Sequence, residues 1–77
     1  MKKTYHQIIR ELREDHDLYQ KDLAKILDIE QTVYSRYERG ANEMPIRHLI
    51  KLCKFYNVSA DYILGLSNSK KKENNKD

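Results

Sequence analysis

A chain of 77 residues is shorter than a typical domain, so a separate effector-sensing unit is not expected and an extended catalytic cleft is disfavoured. Lys and Arg number 15 against 12 Asp and Glu, a net charge of +3, with both signs dispersed along most of the sequence. That balance does not by itself point to nucleic acid. The single cysteine, Cys53, excludes an intramolecular disulfide and cannot alone make a thiolate metal site, so it reads as a small core hydrophobe in a reducing compartment.

After Met1-Lys2-Lys3 comes a polar, charged segment, not the apolar stretch of a secretory signal, and no run approaches the ~20 apolar residues of a membrane span. A cytoplasmic protein with no membrane partner is expected. Thr4 is positioned to cap a first helix, whose stripe Tyr5, Ile8, Ile9 and Leu12 runs to about Glu14. Asp15-His16-Asp17 breaks the pattern. Leu23, Ile26 and Leu27 then give the inner face of a second helix of about eight residues starting near Gln20.

Asp28-Ile29-Glu30 interrupts again, and Tyr34 and Tyr37 line a third helix at residues 31–38 that Gly40 closes with a left-handed cap. Residues 40–44 form a loop, and Pro45 suits the first position of a fourth helix because its missing N–H is not needed there. Leu49, Leu52, Cys53 and Tyr56 carry that helix to Asn57. Ser59 caps a last short helix that buries Ile63 and Leu64 and ends at Gly65.

The expected architecture is all-α, five short helices in one domain over residues 1–66. A disordered polar and basic tail is expected over residues 67–77, where no apolar side chain offsets the entropy of ordering. The run Lys70-Lys71-Lys72 reads as solubilising. His6, His16 and His48 lack ligand spacing and read as surface or edge residues, so neither a metal nor another cofactor is expected. Tyr5, Tyr19, Tyr56 and Tyr62 lie on different elements and read as core and rim aromatics, not as a stacking platform.

The segment from Gln20 to Gly40 carries the functional signal: two short helices, a three-residue turn anchored by Ile29, and the small Ala24 where the helices approach. Generic amphipathic helix pairs meet those requirements too. The full set of motifs is more specific. Leu12-Arg13-Glu14, Gln20 with Leu23-Ala24, Ser35-Arg36-Tyr37-Glu38-Arg39-Gly40 and Asn57-Val58-Ser59-Ala60-Asp61-Tyr62-Ile63-Leu64-Gly65 together resemble the lambda-repressor-like, Cro/repressor-type (XRE) helix-turn-helix family, over residues 8–66.

The resemblance implies a compact lambda-repressor-like DNA-binding domain, with the helix-turn-helix at its second and third helices and the third lying in the major groove. It places Gln31, Thr32, Ser35 and Arg36 outward as base readers, with Val33 at the groove edge. It assigns Gln20 to a phosphate, Arg39 and Asn42 to phosphates just beyond the reading helix, and Lys21 as a further phosphate candidate. The chemistry fits: Gln pairs with adenine N6 and N7, Arg with guanine O6 and N7, and Thr or Val methyls meet the thymine methyl. Arg13 and Glu38 are implied to form a structural ion pair.

The implied activity is that of a sequence-specific transcriptional regulator, a repressor, without enzymatic function. Its implied partner is a two-fold double-stranded DNA operator, bound as a weak homodimer through the fourth and fifth helices, with Ile63, Leu64 and Leu66 expected at the dimer surface. The alternative reading is an antitoxin-like protein-interaction module on the same fold. Several positions depart from the family pattern. Tyr19 and Glu30 stand where a Ser or Thr cap is usual, Asp17 and Asp28 where glycine is common in the turns, and Tyr34 where Ile or Val is usual on the inner face.

Overall fold

The computed structural model describes residues 3–70, and among them the secondary structure is five helices and no strand. They are α1 (Tyr5–Asp15), α2 (Gln20–Leu27), α3 (Gln31–Arg39), α4 (Ile46–Tyr56) and α5 (Ala60–Ile63). Both serine or threonine caps form as local chemistry dictates. Thr4 accepts from the Gln7 N–H at 3.3 Å while the Gln7 side chain accepts from the Thr4 N–H at 2.9 Å, a reciprocal capping box. Ser59 Oγ accepts from the Tyr62 N–H at 3.0 Å.

All five helices end in one way. A residue with positive φ follows each (Asp17, Asp28, Gly40, Asn57 and Gly65, at 56°, 60°, 77°, 56° and 81°). The next N–H then reaches back five residues: Leu18 to Arg13, Ile29 to Ala24, Ala41 to Arg36, Val58 to Cys53 and Leu66 to Asp61, at 2.8–3.1 Å. This closure satisfies otherwise orphaned carbonyls and turns the chain sharply. Asp17 and Asp28 adopt the left-handed conformation that glycine takes more easily.

The core is built where these turns bring the apolar stripes together. Ile9, Leu12, Leu23, Tyr34, Leu52 and Ile63 are fully buried, and Ala24 lets α2 and α3 approach. α3 packs on both α1 and α2, while α5 packs on α1 and α4.

Four expectations need correction. Pro45 is the N-cap, not the first helical residue: its ψ of 153° is extended, and its carbonyl accepts from His48 and Leu49. Leu64 lies just past the four-residue α5 and is 43% exposed, because the helix ends before its turn carries that side chain inward. His48 is buried, on the inner face of α4, with Nδ1 3.2 Å from the Tyr37 hydroxyl. Helix ends differ by one residue from those expected: α1 runs to Asp15 and α3 to Arg39, and α4 stops at Tyr56 with Asn57 as its cap.

The expected tail is described as far as Lys70, whose carbonyl accepts from the Ser59 N–H at 3.2 Å and whose ammonium lies 3.8 Å from Asp15 and 5.9 Å from the Tyr62 ring centroid. Lys71, Lys72 and the rest of the expected disordered segment lie outside the described residues.

Candidate nucleic-acid interface

Helical periodicity divides α3 into two faces. Tyr34, Tyr37 and Glu38 point inward and are buried, while Gln31, Thr32, Arg36 and Arg39 are exposed and Ser35 is half-buried among them. Gln31, Thr32, Ser35, Arg36 and Arg39 line one shallow concavity, and Gln20 from the start of α2 completes it. Val33 is set apart, half-buried against the core. Lys21 lies in an adjoining concavity with Arg13, Tyr19, Gln20 and Gln31. Asn42 is exposed in the loop after α3, its N–H 3.3 Å from the Arg36 carbonyl.

The helix starts show how the unusual caps are managed. Tyr19 provides no side-chain cap to α2, because its hydroxyl is held far from its own backbone by the ring; Asp22 instead accepts from the Tyr19 N–H at 2.8 Å. Glu30 also makes no side-chain cap, so the first N–H groups of α3 have no side-chain acceptor from Glu30. An exposed carboxylate at that point disfavours an anion at the start of the helix.

The Glu38 carboxylate fixes the orientation of α3. Arg13 Nε donates to Oε2 at 2.7 Å and Nη2 to Oε1 at 3.1 Å, a two-pronged pair, while Nη1 donates to the Leu18 carbonyl at 2.9 Å. Gln20 Nε2 donates to the same Oε1 at 3.0 Å. With side-chain exposures of 13% for Arg13 and 2% for Glu38, the pair is largely shielded from water. Burial by itself would raise the Glu38 pKa; Arg13 first, then the Tyr34 hydroxyl and the Gln20 amide, outweigh it and hold the carboxyl below its ordinary value.

Tyr34 and Tyr56 place their hydroxyls near this carboxylate without reaching hydrogen-bonding geometry to any described group. Burial first, and then the neighbouring Glu38 carboxylate, by polar contact as well as charge for Tyr34 and by charge for Tyr56, push both phenols well above their ordinary pKa.

Sequence reasoning missed the anchors of the far end of α3. His6 Nδ1 meets the Tyr37 carbonyl, and its ring lies against Gly40, where an added Cβ would stand 3.5 Å away. Tyr5 donates its hydroxyl proton to Glu43 and accepts from the Met44 N–H. These contacts fasten the loop that carries Asn42, and residues 31–39 apart in sequence leave no local signal of them.

No group of three or more potential metal-ligating side chains occurs among the described residues, and no described helix is long and apolar enough to cross a membrane. A helix-turn-helix family model matches residues 9–63. The HTH-type transcriptional regulator YobD of Bacillus subtilis is 40% identical over 63 residues, covering 82% of this chain and 56% of YobD. ImmR, an HTH-type transcriptional regulator of the same organism, is 38% identical over 64 residues, covering 83% and 50%. The chain thus spans about half the length of these curated relatives. Among solved structures, the P22 c2 repressor in complex with a synthetic operator superposes with a TM-score of 0.76 at 26% identity, over 84% of this chain and 98% of that one.

Proposed function

Because this chain belongs to the helix-turn-helix family, we propose that it is a sequence-specific double-stranded DNA binder that regulates transcription, as a repressor, by laying α3 in the major groove. One observation carries the reading: Gln20, Gln31, Thr32, Ser35, Arg36 and Arg39, from two helices, converge on one open concavity. Gln31 and Arg36 have the donor and acceptor pattern to pair with adenine and guanine edges, and Thr32 and Ser35 fit alongside them. Val33 meets the groove only at its edge. Gln20, Lys21, Arg39 and Asn42 hold the phosphates on either side.

The protein acts by occupying DNA, without catalysis, in the cytoplasm. One reading helix covers few base pairs, so the functional form is a weak homodimer on a two-fold operator with half-sites about 34 Å apart. Ile63, expected on the dimer surface, is fully buried; the exposed Leu64 and Leu66 after α5, with Ile46 and Ile50 on α4, supply the apolar surface for that contact.

Selection of bound sites from a random duplex pool, repeated at two salt concentrations, tests the reading. The expected result is an enriched two-fold sequence whose affinity falls with salt. A steep salt dependence with no enriched sequence refutes specific recognition. Sedimentation that finds only monomer, with and without the enriched duplex, refutes the dimer.

A further inference from the structure

Tyr19 is 69% exposed and stands at the amino end of α2, where it does no capping. Its position is nonetheless defined. Its N–H is held by Asp22, and the Lys21 ammonium lies 5.6 Å from its ring centroid, within cation–π range.

The concavity that Tyr19 lines with Arg13, Gln20, Lys21 and Gln31 shares Gln20 and Gln31 with the one lined by Thr32, Ser35, Arg36 and Arg39, so the two form one continuous surface. At its end a phenol, an ammonium and the positive end of the α2 dipole converge. The exposed Glu30 lines a third concavity with Asp22 and Lys25 that also takes in Lys21 and Gln31 but not Tyr19, so Lys21 stands between Tyr19 and the Glu30 carboxylate. An anionic backbone following this surface is therefore drawn to the Tyr19 side of Lys21.

We propose that Tyr19 is a further DNA-backbone contact. Its hydroxyl donates to a phosphate oxygen next to the one Gln20 approaches, its ring covers the adjacent deoxyribose, and Lys21, held over the ring, supplies positive charge to the same phosphate. The inference rests on the DNA-binding reading above. It turns a departure from the family's usual capping residue into a contact of this chain's own.

Y19F keeps the ring and its hold on Lys21 while removing only the hydroxyl. The full chain and its variants are titrated against the duplex enriched by selection and against a scrambled duplex of equal length. Y19F is expected to bind both about fivefold to tenfold more weakly, the worth of one ordinary solvent-exposed hydrogen bond, with the specificity ratio and unfolding midpoint unchanged. K21A is expected to reduce the salt slope by about one, and Y19A/K21A to lose less than the sum of the single variants. Y19F binding within twofold of the parent overturns the proposal. If that happens while R36A still loses affinity, the Tyr19 contact alone falls. A parent that prefers no duplex defeats the DNA-reading assignment and this inference with it.

Discussion

Replacing Arg13 with alanine probes the contact that orients α3. The substitution leaves the Glu38 carboxylate, 2% exposed, with only the Gln20 amide as a hydrogen-bonded partner. Breaking a buried pair in this way costs about 3–5 kcal/mol, against roughly 5–10 kcal/mol available to a small domain, so R13A is expected to sit near the edge of folding. The pH dependence distinguishes this account from simple loss of packing. In the parent, the Glu38 pKa lies below its ordinary value of 4.5, so its stabilisation is fully present above about pH 4.5 and is lost as pH falls through the lower folded-state value. Without Arg13, burial dominates and the folded-state pKa rises. Protonation then relieves the unpaired charge, and the stability gap between parent and R13A narrows as pH falls from 7 toward 4. Urea unfolding followed by circular dichroism across that range measures the gap directly. A gap independent of pH would refute an electrostatic role, and R13A/E38L is expected to recover part of the loss at pH 7.

R36A is expected to cost about 1–3 kcal/mol of affinity for the enriched duplex and to relax preference at one base position, read by competition with single-base variants. Unchanged binding would remove α3 as the reader. Asp28 holds a φ of 60°, which glycine adopts freely, so D28G is expected to raise stability by about 0.5–1 kcal/mol in urea unfolding. A lower midpoint would mean that the Asp28 side chain stabilises the turn. Y5F removes the hydroxyl that joins Glu43 to the Met44 N–H and is expected to cost about 1 kcal/mol, with faster amide exchange at Met44 than at Leu52. Equal protection of Met44 in parent and variant would show that the loop is held by other means.

Features decided within four or five residues were legible in the sequence. Thr4 and Ser59 lie one turn from the N–H groups they cap, Gly40 sits where a left-handed residue is needed, and the outward stripe of α3 follows from helical period. Pro45 was misplaced by one position because its fixed φ suits the N-cap and the first helical residue equally; ψ decides between them, and ψ depends on the incoming loop. His48 looks like a surface residue until Tyr37, eleven positions earlier, presents a hydroxyl to its ring. The Tyr5 and His6 contacts to residues 37–44 arise only once α1 is packed beside α3. Of the candidate site, the outward placement of Gln31, Thr32, Ser35 and Arg36 was legible, but the commitment of the Gln20 amide to Glu38 was not.

That commitment bears on how the protein would sort DNA. Gln20 at the start of α2 and Arg13 on α1 donate to the same carboxylate oxygen of Glu38 on α3, so on the proposed reading the α2 end offered to a phosphate and the helix offered to the bases shift together. On that reading, the distance from backbone grip to base edge is set by the protein. A duplex whose groove width or helical phase does not match must itself deform, at an energy that depends on the stiffness of base steps the protein never touches. Such a rigid gauge would discriminate among sites by their mechanics as well as by their bases, and loosening it at Glu38 would blur both.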